Sequence, residues 1–235
     1  ISSIISVSAI CEETGADVQQ VAKAIGMDSR IGSKFLNASV GFGGSCFQKD
    51  ILNLVYISKC LGLNEVSEYW LQVVKINDYQ KRRFAKKIIS SLFNTVAGKK
   101  ITLLGWAFKK NTNDTRESAA IYIADFLIEN GAEIHVYDPK VSKERMLADL
   151  DFLNTRTTLK NKNSLNYHES PYTACDQSYA ISIITEWDEF VDYDWKKIYK
   201  NMIMPAKIFD GRNLMDTKKM KEIGYEVYSI GKDQN

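Results

Sequence analysis

No CxxC pair and no metal-ligand spacing occurs among the four cysteines, Cys11, Cys46, Cys60 and Cys175. That absence argues against a structural zinc site or a disulfide framework. With no secretory signal in view, it points to reduced thiols in the cytoplasm. No apolar run reaches the roughly 18 residues that a membrane span needs. An excess of one charge is also missing: 31 basic against 29 acidic residues leave no global field for nucleic acid or an anionic membrane. Repeats, low-complexity tracts and a GxGxxG dinucleotide fingerprint are absent. Only two histidines occur. His135 falls inside an expected strand and reads as a packed core residue; His168 falls in a polar segment and reads as surface. Neither offers the base of a Cys–His hydrolase.

What is present is enough apolar sequence, 45% of 235 residues, for one large domain or two smaller ones. The chain opens on ISSIISVSAICEE, which reads as helix interior without a cap and suggests a piece of a longer chain. Up to about Phe93 the signals are helical. The first helix runs to Gly15. Asp17 caps a second, with Gln20 at the capping-box position and Gly26 at its end. A loop from Met27 to Ser45 holds a glycine-rich run, and a third helix starts near Cys46 and ends before Gly62. Asn64 to about Asn94 then reads as one long amphipathic helix, far above the usual 11–12 residues. A helix of that length spans a domain boundary or an oligomer seam, and both are expected here. Its basic run, Lys81-Arg82-Arg83 with Lys86-Lys87, reads as a solvated or interfacial face.

After Gly98 the pattern changes. Ile101–Leu104, Glu133–Tyr137, Tyr179–Thr185, Lys207–Phe209 and Glu226–Ile230 read as strands, with helices between them except over the polar, loose stretch Asn154–Ser164. Continuous apolar strands alternating with helices predict a doubly wound parallel sheet. The fold class is therefore α/β. An all-helical central domain, residues 1–96, and its long connecting helix lead into a Rossmann-like domain, residues 97–235.

Chemistry concentrates in Gly41-Phe42-Gly43-Gly44-Ser45-Cys46-Phe47-Gln48-Lys49-Asp50. Glycines allow close approach of backbone. A cysteine in the first turn of a helix sits beside the positive end of the macrodipole, which favours the nucleophilic thiolate. Lys49 and Asp50, three and four residues on, share its face. The cluster holds a nucleophile, a cation for developing negative charge and a carboxylate for proton transfer. A second cluster, GWAFKKNTNDTRES from Gly105 to Ser118, follows the first strand, at the end of an open sheet where ligands bind. Its aromatic, lysines and arginine suit a phosphorylated ligand with a ring to stack. In a third, FDGRN, Arg212 stands past a short strand, where it could fork onto a phosphate or a sugar diol; a structural arginine would fit equally well.

Together with NDYQKRRF, YDPKV and TEWDEF, these stretches resemble the nucleotide-sugar dehydrogenases in order and spacing over essentially the whole chain, and GFGGSCFQKDILNLVY is most similar to the UDP-glucose 6-dehydrogenases among them. The resemblance implies NAD-dependent, four-electron oxidation of UDP-glucose to UDP-glucuronate. Cys46 would attack the intermediate aldehyde, and the resulting thioester would be hydrolysed with help from Asp50. It also implies that Cys46, Phe47, Gln48 and Lys49 border the nicotinamide and that Arg116 reaches the cofactor pyrophosphate. Asn37, Ala38, Ser39, Val40, Gly41, Phe42 and Gly43 would wrap the UDP-sugar, joined by Phe108, Lys109 and Arg212, while Arg30 serves a neighbouring subunit of a homo-oligomer. Many relatives carry Lys where this chain has Asn37, so a side-chain role there is not implied. The family's NAD-binding domain, with its glycine fingerprint, would precede Ile1. GDP-mannose or UDP-N-acetylmannosamine dehydrogenases, and a non-catalytic oligomerisation and UDP-sugar-binding module, are the competing readings.

Overall fold

A computed structural model of the chain describes residues 1–153 and 165–232. Helices come first: α1 (Ser2–Thr14), α2 (Val18–Gly26), α3 (Phe47–Cys60) and α4 (Asn64–Ser91). The Asp17 carboxylate accepts the Gln19 amide at 2.7 Å, which starts α2 where the sequence placed it. α4 stops short of Asn94 because Phe93 and Asn94 adopt left-handed φ values of 63° and 59°, incompatible with continuing the helix.

The rest alternates: β1 (Lys100–Leu104), α5 (Ala119–Glu129), β2 (Glu133–Tyr137), α6 (Lys143–Phe152), β3 (Leu165–Tyr167), α7 (Pro171–Cys175), β4 (Ala180–Ile183), a 3-10 turn (Asp188–Asp192), α8 (Trp195–Lys200), β5 (Lys207–Asp210), α9 (Thr217–Ile223) and β6 (Glu226–Ser229). The strands form one sheet in the order β3-β2-β1-β4-β5-β6, with every pairing parallel. This is the doubly wound sheet read from the alternation. The sequence signalled five of its strands. The sixth, β3, has three residues of which one, Leu165, is buried, too little for a periodic signal. The stretch Asn154–Ser164, expected to be loose, lies outside the described residues.

The winding reverses between β1 and β4, so a crevice opens past their carboxyl ends. Both strands are covered on both faces: Ile101, Leu103, Leu104, Ile181 and Ile183 are fully buried. Phe84, Ala85 and Ile88 of α4, with Leu92 just past its end, join Ala120, Ile123, Ala124 and Leu127 of α5 in that same core, which also takes in Ile4 and Cys11 of α1. The helical part thus rests on the sheet through α4. A smaller cluster of Ile5, Phe42, Ile51 and Val74 knits α1, α3 and α4 together. No described helix is long and apolar enough to cross a membrane.

His135 on β2 and His168 just past β3 meet at 2.7 Å, Nδ1 to Nε2, and His168 Nδ1 lies 3.2 Å from Thr173 Oγ1. His168 is therefore half-buried, not the free surface residue read from its polar neighbours. The pairing depends on the β2–β3 register, which no local pattern reveals. Burial, then the Lys100 charge and His168, push the His135 pKa down to about 4; burial and Lys100 lower that of His168. Both folded values lie below the unfolded one, so the stabilisation is complete above about pH 6.5 and declines as pH falls from there towards 4. Melting temperatures recorded from pH 7 to 4.5 are expected to fall less steeply for His135→Gln than for the parent. Parallel curves would contradict this assignment.

Candidate functional site

Cys46 occupies the position that opens α3: its carbonyl accepts the Asp50 amide at 2.8 Å, and its thiol is exposed. The unpaired amides of the first turn lie beside that thiol. Lys49 and Asp50 are exposed on the same side, as their spacing predicts. Sγ stands 3.7 Å from Ser45 Oγ.

The preceding loop is buried, and α4 grips it. The Phe42 amide donates to Asn77 Oδ1 at 2.8 Å while Asn77 Nδ2 donates to the Phe42 carbonyl at 3.0 Å. Gln80 Nε2 donates to the Ser39 carbonyl at 2.8 Å. From above, the sheet takes hold of it: the Val40 amide donates to the Gly211 carbonyl at 3.0 Å, past β5, and the Gly44 amide to the Arg116 carbonyl at 2.8 Å. Two glycines are required by crowding. A Cβ on Gly43 would lie 2.5 Å from the Glu117 carbonyl oxygen and 2.9 Å from Phe108 Cβ; one on Gly41, at φ +130°, would lie 2.8 Å from Asn77 Oδ1. The close approach inferred from the glycine run is real, and what approaches is the protein's own chain.

The turn after β1 is fixed from beneath by Asp138 at the end of β2. Its Oδ2 accepts the Trp106 amide at 2.6 Å, the Ala107 amide at 3.0 Å and Trp187 Nε1 at 3.1 Å. Its Oδ1 accepts the amides of Lys140 at 2.9 Å and Val141 at 3.1 Å. Thr185, past β4, donates its hydroxyl to the Ala107 carbonyl at 2.6 Å. Phe108 consequently lies against Gly43 and Gly44, with exposed Lys109 holding Nζ 5.2 Å from its ring centre.

Arg212 reaches the same place with its fork already engaged. Nε donates to the Ile184 carbonyl at 2.5 Å, Nη2 donates to the Phe108 carbonyl at 3.1 Å, and Glu186 pairs with it at 3.2 Å. Burial lowers its pKa, opposed by the Glu186 and Asp210 charges. It ties the ends of β1, β4 and β5 together.

Arg116 is exposed and pairs with Asp114 at 2.7 Å; that bond holds the Asp114 carboxyl below its ordinary range. The same bond raises the Arg116 pKa, with a further contribution from the Cys46 charge, so the guanidinium and the thiol share one electrostatic neighbourhood. Two cavities flank Arg116. One of about 690 Å³ runs from Ser45, Gln48 and Leu52 to Tyr122 and Phe152; the other, about 570 Å³, is lined by Asn113, Lys140, Ser142 and Arg145. Gln48 Oε1 is buried beside the first without a hydrogen-bond partner.

The structure therefore brings Ala38, Ser39, Val40, Gly41, Phe42, Gly43, Cys46, Phe108, Arg116 and Arg212 into one constellation at the carboxyl ends of the strands. Asn37 sits exposed at its margin. Arg30 does not join it: the side chain is 88% exposed and paired with Asp28 at 2.6 Å. Sequence reasoning missed Asn77, Gln80 and Asp138, and misplaced Lys81. The basic run to which that lysine belongs reads as a solvated or interfacial face, yet Lys81 is 1% exposed because α4 turns it under the loop. Arg83 of the same run is also half-buried, bonded to Glu12 at 2.6 Å. A detectable signal existed: Asn77, Gln80 and Lys81 stand at i, i+3 and i+4 between the apolar positions Val74 and Phe84.

Residues 1–79 match the central domain, and residues 102–217 the UDP binding domain, of the UDP-glucose/GDP-mannose dehydrogenase family. Across 99% of its length the chain is 58% identical to the UDP-glucose 6-dehydrogenase of Drosophila melanogaster, of which it covers 49%. It is 54% identical to UDP-glucose 6-dehydrogenase 4 of Arabidopsis thaliana, of which it covers 50%. The chain thus spans about half the length of the curated relatives it matches. Among solved structures, a UDP-glucose dehydrogenase from the hyperthermophilic archaeon Pyrobaculum islandicum superimposes with a TM-score of 0.79 at 31% identity, over 99% of this chain and 48% of that one. An NDP-N-acetyl-D-galactosaminuronic acid dehydrogenase from Methanosarcina mazei shares the fold at 21% identity, with a TM-score of 0.80 over 100% of this chain and 48% of that one.

Proposed function

The chain belongs to the UDP-glucose/GDP-mannose dehydrogenase family, and from that premise we propose that it supplies the thiol and the sugar-nucleotide half of a UDP-glucose 6-dehydrogenase. The observation that carries this reading is the exposed thiol of Cys46 at the start of α3, seated over the crevice by the loop Ala38–Gly44. The reaction converts the primary alcohol of UDP-glucose and one water to UDP-glucuronate, with transfer of two hydrides and release of three protons. NAD supplies the hydride acceptor for both oxidations.

The chain's own residues do the rest. Cys46 adds to the aldehyde carbon, forming the C–S bond of a thiohemiacetal; Lys49 offsets charge on the oxygen. After the second oxidation the bond to Cys46 is a thioester. Asp50 accepts a proton from the water that attacks it, and the thiolate leaves. Main-chain groups from Asn37 to Gly43 wrap the sugar nucleotide, and Phe108 and Lys109 close on it from the sheet. Arg212 acts by holding the Phe108 carbonyl. An exposed arginine between two cavities fits a diphosphate, so Arg116 faces the cofactor, and Cys46–Lys49 border its nicotinamide.

We further propose a division near residue 96, supported by the two separate family matches, and a cytoplasmic location, consistent with four free cysteines. A homo-oligomer built through α4 is supported by the exposed Leu63, Val66 and Tyr69 beside Tyr56, Ile57 and Leu61 of the α3 end. Val73 and Val74 turn inward, so Tyr69→Glu is the variant that should part the copies in sedimentation. Arg30, exposed and remote from the crevice, would then serve a neighbour's site. Oxidation of GDP-mannose or UDP-N-acetylmannosamine is the alternative, set aside because relatives 58% and 54% identical carry the UDP-glucose name.

The 235 residues hold no glycine fingerprint to seat a dinucleotide. Expressed alone, they should bind UDP-glucose weakly in calorimetry, more tightly than GDP-mannose, and form no NADH. NADH formation by these residues would show the cofactor site is misplaced, and absent UDP-glucose binding would remove the substrate assignment.

A further inference from the structure

Lys81 has no part in the chemistry above, yet it is the least exposed cation among the described residues. Its side chain is 1% exposed, and Nζ meets Asp78 Oδ1 at 3.2 Å. Nζ also lies 4.0 Å from the centre of the Tyr122 ring, a cation–π contact in a desolvated site. The Tyr122 hydroxyl donates to Glu117 Oε2 at 2.5 Å. Glu117 adopts φ +54°, a left-handed conformation that a non-glycine residue keeps only when its surroundings impose it. Its carbonyl is the one pressed on Gly43, and the neighbouring Arg116 carbonyl accepts the Gly44 amide at 2.8 Å. The lysine stem touches the loop directly as well: Cγ lies 3.3 Å from where a Cβ on Gly41 would stand.

We infer that Lys81 is a positioning residue for the Cys46 loop, a buried cation that holds Tyr122 and Glu117 from below and thereby fixes the Arg116–Glu117 turn on which Gly43 and Gly44 rest. The catalytic consequence rests on the dehydrogenase reading; the positioning does not. Burial lowers the Lys81 pKa, while Asp78 and Glu117, the carboxylates facing it, oppose that and keep the cation in place. Tyr122, the third titratable neighbour, has its pKa raised by burial and by the Glu117 bond, so it remains a donor. The arrangement links α4, α5 and the loop through charge, whereas an apolar residue at position 81 would only fill space.

Hydrogen exchange tests the positioning without any substrate. In Lys81→Met the amides of Phe42 and Gly44 should exchange at least about fivefold faster than in the parent, as expected for loss of one desolvated cation–π contact. Amides of β1 and β4 should be unchanged, and Lys81→Arg should restore slow exchange. Tyr122→Phe, which keeps the ring and removes the hydroxyl, should speed Gly44 alone, and it decides the matter if Lys81→Met does not fold. In the full-length enzyme that also supplies the cofactor-binding half, assayed with UDP-glucose and NAD, Lys81→Met should lower kcat more than it raises KM, with recovery in the arginine variant. Uniformly faster exchange at all amides, unaltered exchange at Phe42 and Gly44, or no rescue by arginine would each overturn the inference. Absence of UDP-glucose turnover in the full-length parent would instead count against the dehydrogenase reading alone.

Discussion

In the full-length enzyme, replacing Cys46 by alanine is expected to lower UDP-glucuronate formation by at least about a thousandfold, or about 4 kcal/mol of barrier at 1.36 kcal/mol per decade. The size follows from the role: without the sulfur no thiohemiacetal forms, and nothing else among the described residues at the start of α3 is a comparable nucleophile. Binding should be largely unaffected, because the thiol is exposed and its hydrogen-bond contact among the described residues is Ser45 Oγ, at 3.7 Å. The loop Ala38–Gly44, which on this reading wraps the substrate, is held by Asn77, Gln80 and the Arg116 carbonyl, all intact in the variant. A preserved UDP-glucose affinity with lost turnover is thus the expected pair of results. Continued four-electron turnover by Cys46→Ala would end the covalent mechanism.

The largest effect on stability should come from Asp138→Ala. Its carboxylate, 2% exposed, accepts five N–H groups at the carboxyl ends of β1, β2 and β4. A buried donor left without a partner costs about 1–3 kcal/mol. Water admitted to the gap offsets part of that, so the expected loss is about 4 kcal/mol. For a chain of this size the melting temperature falls by roughly 2–4 °C per kcal/mol, which gives a drop of about 8–16 °C. Asp138→Asn, which keeps the shape and one good acceptor, should lose less. UDP-glucose affinity should weaken in both, because Trp106 and Ala107 carry the turn that presents Phe108. A change of less than about 2 °C in Asp138→Ala would show that the turn is held by other means.

Elements with local causes were legible in the sequence. The Asp17 cap, the runs that became β1 and β2, and the thiol at a helix start all follow from neighbours within a few positions. The glycine loop was legible as a place of close approach. Its partners were not, because Asn77 lies 35 residues from Phe42 and Arg212 lies 104 residues from Phe108. Such bonds depend on how α4 crosses the sheet and on the order in which the strands lie. Buried polar groups on α4 were misread for the same reason. A basic run looks solvated until the helix is docked, and then Lys81 lies under Tyr122 and Arg83 bonds to Glu12, which also takes the Gly231 amide at 2.8 Å.

The central claim, that Cys46 is the reacting thiol at a UDP-glucose site, is tested most directly by timed alkylation with mass-spectrometric readout. Cys11 and Cys175 are buried, and burial raises the pKa of both thiols, so they should label slowly. Cys60, exposed at the far end of the same helix, is the internal control for simple accessibility. The account predicts that Cys46 is modified before Cys60, and that UDP-glucose slows Cys46 while leaving Cys60 unchanged. Equal rates for Cys46 and Cys60, with no protection by UDP-glucose, would contradict it.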